Sequence, residues 1–218
     1  LEREQVNGYL APWLAHSGKK AVSFGELKSV VEIFSHVVDA KSSFTKEHSE
    51  GVARLAHHLG KAFALPDESC EMLELAGLLH DIGKLRVPDE LLEKTGGLSE
   101  AEYCVMHRHS FDTYDILKNI KGMERVATWA AQHHERVDGS GYPYMSGNHE
   151  ISIEARILAV ADVFQALAQR RPYREALPPE QILRILQLEA DNGKLDRAVV
   201  EAVERDLQQS WEVAILKH

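Results

Sequence analysis

Apolar residues recur at helical spacing along most of the chain, and nowhere in the strict alternation of a half-buried strand. Residues 1 to about 20 are the exception, mixed and poorly periodic, with Pro12 and Gly18 as breaks. From Phe24 to Val38 a stripe of Leu27, Val30, Val31, Phe34, Val37 and Val38 predicts the first amphipathic helix. Thr45 stands where an N-cap belongs, ahead of a helix over about 46–64 whose inner face carries His48, Val52, Leu55, Leu59 and Phe63. The apolar run Met72 to Leu79 predicts a core helix reaching to near Gly83. Ser99 and Glu102 form a capping box for a helix to about Arg108. Val126, Ala130, His133 and His134 fall on one face of the next. Ser152 caps a helix that turns Ile153, Ile157, Val160, Ala161, Phe164 and Ala168 inward, and Pro178-Pro179 and Asp196 open two more, to Ala190 and about Ser210. The pattern predicts an all-α chain without internal repeats.

Length and charge narrow this further. A chain of 218 residues, 44% apolar and 27% charged, fits one domain with a substantial core. Residues 1–24 read as an extension or linker from an upstream region and 25–218 as the domain, and the start at Leu1 reads as a fragment of a longer protein. A net charge of -9 argues against a nucleic-acid partner, because a phosphate backbone demands a basic footprint. A small phosphorylated substrate needs only a locally basic site. Cys70 and Cys104 lack paired-ligand spacing and fit a reducing cytoplasm. No apolar run is long enough to span a bilayer, so no membrane contact is expected of this fragment.

The histidines change the picture. His80 and Asp81 close the core helix, adjacent and about 100° apart, so both can reach one metal centre, with Lys84 one turn on as a point charge for an anion. Imidazole with carboxylate suits Fe, Mn or Zn, and a carboxylate has a second oxygen that can bridge. Asp162 interrupts an apolar helix and so calls for a cation or a metal. Of His107 and His109, two apart, only one can face a shared site. His16, His36, His57 and His58 read as surface or packing residues. The small residues of Asp138-Gly139-Ser140-Gly141-Tyr142-Pro143 would let backbone approach a ligand, though an ordinary turn-rich loop fits almost as well. His48, His80, Asp81, His109, His133, His134 and Asp162 together offer five imidazoles and two carboxylates, more than one metal needs and about right for two.

The order His…His-Asp…His…His-His…Asp resembles the HD phosphohydrolase superfamily, and the string from His133 to Pro143 resembles its HD-GYP branch. Val87-Pro88-Asp89, Ala155-Arg156-Ile157, Val160 to Phe164 and Arg171-Pro172-Tyr173-Arg174 add to the likeness, which covers about residues 25–205. The resemblance implies an HD-domain helical bundle with additional C-terminal helices of the HD-GYP type. It implies a cytoplasmic bacterial signalling enzyme that hydrolyses cyclic di-GMP to pGpG or GMP with two divalent metal ions, Fe or Mn. His48, His80, Asp81 and Asp162 would then hold one ion, and Asp81, His109, His133 and His134 the other, with Asp81 bridging. Asp81 and Lys84 would act in catalysis, Lys84 and Arg174 would contact substrate phosphate, and Gly141, Tyr142 and Pro143 would shape the substrate side. The same loop is the implied contact for a diguanylate cyclase domain, and a homodimer is a further possibility. An idle domain that binds cyclic di-GMP or a cyclase, or a hydrolase of another cyclic dinucleotide, is the alternative. Phe44 stands where members with a third metal carry Glu, which points to two ions rather than three. Gln165 stands where the family has Asp, Ala168-Gln169-Arg170 where it has Thr-Ser-Asp, and Thr113 where it has Gly; these bear on turnover and substrate choice.

Overall fold

The computed structural model describes residues 22–41, 47–94, 96–170 and 175–215. The predicted cap Thr45, Phe44, His16, nearly all of the 1–24 extension and the Arg171–Arg174 element lie outside the described residues. Those described form ten α-helices and no strand: α1 (Phe24–Lys41), α2 (His48–Ala62), α3 (Asp67–Leu79), α4 (Asp89–Leu92), α5 (Glu100–Leu117), α6 (Glu124–Ala131), α7 (Ile153–Ala168), α8 (Pro179–Asp191), α9 (Arg197–Arg205) and α10 (Leu207–Ile215). A 3-10 turn over Ile82–Arg86 follows α3, and Asp138 and Gly147 form an isolated β-bridge.

The core is built where the stripes of α2, α3, α6 and α7 meet. Leu55 and Leu59, Leu73, Val126, and Ile157, Leu158 and Phe164 are sealed from solvent there. Each such side chain contributes about 1.5–3 kcal/mol by leaving water. Gly77 lets α2 and α3 cross closely, since a Cβ there would lie 2.7 Å from the backbone nitrogen of Ala53. That crossing brings the start of α2, with His48, beside the end of α3, with His80. Ile182, Leu186, Val199 and Val203 extend the core under α8 and α9, and Arg54 of α2 holds α10 by donating from Nε to the Val213 carbonyl at 2.9 Å.

Several element boundaries match the periodicity and others differ; the single helix expected from Asp196 to about Ser210 ends at Arg205, and α10 follows as a separate helix. The capping box at Ser99 and Glu102 is present with both of its hydrogen bonds, as are the side-chain caps at Ser152 and Asp196. The core helix stops at Leu79 rather than near Gly83, and the chain tightens into the 3-10 turn that carries Lys84. Helix α5 runs nine residues past Arg108, and its buried face there is mostly polar, His109, Ser110, Asp112 and Thr113, with Leu117 as the fully buried apolar residue, so the apolar stripe is faint. Helix α1 buries Val31 and Val38 but leaves Val30, Phe34 and Val37 about half exposed, so only one edge of its predicted stripe packs.

Candidate metal centre

The seven residues singled out in the sequence converge on one site where α2, α3, α5, α6 and α7 meet. His48 is the first residue of α2, His80 and Asp81 follow α3, His109 sits mid-way along α5, and Asp162 lies on α7. His133 and His134 fall just past the end of α6 at Ala131, in a turn rather than on a helical face.

Three of the rings are locked in the same way. The Nδ1–H of His80 donates to the Gly77 carbonyl at 2.7 Å, that of His109 to Met106 at 2.6 Å, and that of His133 to Ala130 at 2.6 Å. A carbonyl only accepts, so each Nδ1 carries the hydrogen and each Nε2 is left to face the site. Asp81 stands between two groups of these rings. Its Oδ2 lies 3.3 Å from His80 Nε2, while its Oδ1 lies 3.4 Å from His109 Nε2 and 3.8 Å from His133 Nε2. Asp162 faces His48 and His80 through Oδ1, at 3.4 and 3.9 Å, and His134 through Oδ2 at 4.0 Å.

Ligand-type atoms gather into three overlapping sets: His48, His80 and Asp162; His109, His133 and His134; and His80, Asp81 and His133 between them. His80 Nε2, His133 Nε2 and Asp81 Oδ1 are buried without any hydrogen-bond partner. Orphaned buried polar atoms are rare and call for an explanation such as an ion. These three belong to one of the ligand sets, and a donor set of imidazole and carboxylate is the one that transition-metal cations take. The residues present fit a metal.

The electrostatics reflect the same crowding. Burial works against charge on His80, but Asp81 and Asp162 overcome it and lift its imidazole to about 9. Burial pushes His109 down to about 4 and His133 to about 3, and holds His134 well below the ordinary range. Asp81 is opposed by burial too, yet Lys84 and His80 keep its carboxyl well below the usual range. Asp162 behaves alike, with His48 and His80 as the stabilising partners.

Lys84 sits 2.5 Å from Asp81 Oδ2, at 11% side-chain exposure, so its ammonium faces the site while pairing with Asp81. Tyr142 forms a wall: its ring stacks on His107 at 3.9 Å and 10° and lies 4.7 Å from His134. Gly141 is buried against the chain at His134–Arg136, where no side chain would fit, so it serves the loop's own packing rather than an approach to ligand. Tyr142 N–H donates to the His134 carbonyl at 3.2 Å, and the Tyr142–Pro143 peptide is cis. Arg174 lies outside the described residues; its neighbour Arg170 pairs on the surface with Glu175 at 3.2 Å.

The supporting roles of several residues are not legible in the sequence, where Thr113 and Gln165 stand out only as departures from the family pattern. Thr113 Oγ1 donates to the His80 carbonyl at 3.0 Å and accepts from Gly83 N–H at 3.1 Å, tying the turn after His80 to α5. Buried Glu135 accepts from the Tyr144 and Ser146 backbone N–H groups at 2.7 and 2.9 Å, fixing the loop after Pro143. Gln165 accepts from His48 Nδ1 at 2.6 Å. His107 read as the histidine that misses the site, and it is the one that props Tyr142. The alternation of HHE with a later GYP was the only signal for Glu135, and nothing in local spacing pointed to the others.

A family model described as "HD domain" matches residues 32–199. Among curated proteins, the 3′3′-cGAMP-specific phosphodiesterase 1 of Vibrio cholerae is 44% identical, over 87% of this chain and 44% of its own. The cyclic di-GMP phosphodiesterase response regulator RpfG of Xanthomonas campestris is 37% identical, over 80% of this chain and 47% of its own. The chain therefore spans under half the length of these relatives. Among solved structures, an HDG"Y"P protein of Bdellovibrio bacteriovorus shares the fold at a TM-score of 0.61 and 19% identity, over 85% of this chain and 63% of that one.

Proposed function

The chain belongs to the HD-domain family, and from that premise we propose that it is a metal-dependent phosphodiesterase that opens cyclic dinucleotides. The observation that carries the reading is Asp81, whose two oxygens face two separate groups of histidines. His48, His80, Asp81 and Asp162 would hold one divalent ion, and Asp81, His109, His133 and His134 the other, Fe or Mn by donor type. Such a pair supplies Lewis acidity and a water ionised near neutral pH.

The chain's own groups then divide the remaining work. Asp81, buried and unprotonated, would span both positions and, with Asp162, gives the site its negative charge. Lys84 carries the cation next to it, so developing charge on a phosphate oxygen would meet an ammonium already oriented by Asp81. Tyr142, braced by His107, closes one side against water. Arg174 remains the proposed phosphate grip from the neighbouring element, and Tyr142 and Pro143, on the loop that Gly141 packs in place, the proposed substrate wall and cyclase contact. The cytoplasm is the proposed location. Among the described residues, no helix is long and apolar enough to cross a membrane.

Two substrates are in view. The motifs resemble enzymes of cyclic di-GMP, while the 44% identical relative is specific by name for 3′3′-cGAMP, which favours the mixed dinucleotide as a second reading. Both share a guanylate half and two 3′–5′ phosphodiester bonds. The test is incubation of the manganese- and iron-loaded protein with each, with products read by mass spectrometry. A linear dinucleotide or mononucleotides from either supports the reading, and the faster one names the substrate. Intact substrate in both, from protein shown to hold its ions, would leave a domain that only binds.

A further inference from the structure

His48 is held by a different kind of group from the three carbonyl-locked histidines. His80, His109 and His133 each donate from Nδ1 to a backbone carbonyl three residues earlier, an acceptor that any side chain at that position leaves in place. His48 donates instead to a side chain, Oε1 of Gln165, at 2.6 Å. Gln165 lies three residues after Asp162 on α7, so both project from one face of that helix. The His48 ring is consequently gripped from two sides by a single helix: Gln165 on Nδ1, and Asp162 Oδ1 3.4 Å from Nε2. Gln165 is 2% exposed. Room for its long amide comes from Gly51, one turn after His48, where a Cβ would lie 2.7 Å from Gln165 Cγ and 2.8 Å from its Nε2.

An acceptor behind a ligating imidazole fixes its tautomer and raises its basicity, and a carboxylate does so more strongly than an uncharged amide. We propose that Gln165 is the positioning residue for His48, and that it sets the cation affinity of the His48–His80–Asp162 position without touching the cation. Its neutral amide holds that affinity below the value a carboxylate at the same place would give. This rests on the two-ion reading above.

The test is titration of the metal-free chain with Mn2+ against a chromophoric chelator, for wild type, Gln165→Leu, Gln165→Glu and His48→Ala. Wild type should take up two ions, and His48→Ala identifies which binding step belongs to this position. Gln165→Leu should weaken that same step about 10–100-fold and leave the other unmoved. Gln165→Glu keeps the size and places a carboxylate oxygen on Nδ1, so it should bind more tightly than wild type at this step and unchanged at the other. If the Leu variant fails to fold by circular dichroism, the Glu variant decides: a tighter step supports the proposal, and an unchanged or weaker one overturns it. A folded Leu variant with wild-type affinity at both steps overturns it while the two-ion reading stands. Wild type that takes up fewer than two ions removes that reading, and the proposal with it.

Discussion

Lys84→Met puts the electrostatic balance of the centre to a quantitative test. Asp81 is nearly sealed, at 4% side-chain exposure, and Lys84 is the cation nearest it, 2.5 Å from Oδ2. Removing one partner of a buried ion pair costs about 3–5 kcal/mol, because the other charge is stranded. His80 stays 3.3 Å from the same oxygen, which places the cost at the lower end, about 3 kcal/mol. In a chain of this length that is a fall in Tm of roughly 6–12 °C for the metal-free protein. Bound divalent ions are the largest local charges in such a site, so with Mn2+ present the fall should shrink to about 2–4 °C. Calorimetry of wild type and variant, in chelator and in excess Mn2+, gives the four values. Equal falls in both conditions would mean that Asp81 does not face the ions, and the reasoning would fail. The variant should also keep its metal content and lose about 10²–10³-fold in turnover, as expected when a group acts mainly on developing charge. Loss of the ions instead would assign Lys84 a structural role.

Three further outcomes follow from the geometry. Asp81→Asn should lower metal content at both positions and abolish turnover, because the amide keeps the shape but not the charge that both groups of histidines face; elemental analysis showing one ion lost and one retained would refute bridging. Glu135→Gln should loosen the loop whose backbone it holds at Tyr144 and Ser146, a cost of about 1–3 kcal/mol, raising KM with metal content unchanged. Faster hydrogen exchange at those two amides checks it, and unchanged exchange contradicts it. The pH dependence of metal-free stability has a definite sign. His80, raised to about 9, stabilises fully below 6.5 and loses that contribution as pH climbs through 9, whereas His109 and His133, lowered to about 4 and 3, cost stability as pH falls below 6.5. These groups together place the maximum near pH 6.5, and urea unfolding in chelator from pH 4 to 9 should show a peak there rather than a monotonic trend.

The periodicity was readable wherever a helix buries apolar residues, and unreadable where it buries polar ones. Helix α5 looked short because its inner face past Arg108 is largely polar, with His109, Ser110, Asp112 and Thr113, and much of its satisfaction comes from distant partners: Arg86 reaches Asp112 at 2.8 Å, and Thr113 holds the turn at His80. Val30, Phe34 and Val37 looked like core because a stripe gives a face but not how much of it is covered, and α1 lies at the edge of the bundle. The seven converging residues were legible because imidazoles and carboxylates on apolar helices are costly unless something pairs with them. Their supports were not. A glutamine behind His48, 117 positions away in sequence, and a tyrosine braced by His107 are contacts that only the packing of α2 on α7 and of the loop on α5 creates.

The central claim, a two-ion centre spanned by Asp81, is tested most directly by counting metal in anaerobically prepared protein. Elemental analysis should find two tightly bound ions per chain, Fe or Mn, matching the two groups of histidines on either side of Asp81 and the phenylalanine at position 44. A single ion would contradict the bridge, and three would mean that a further ligand set exists beyond the seven residues assigned here.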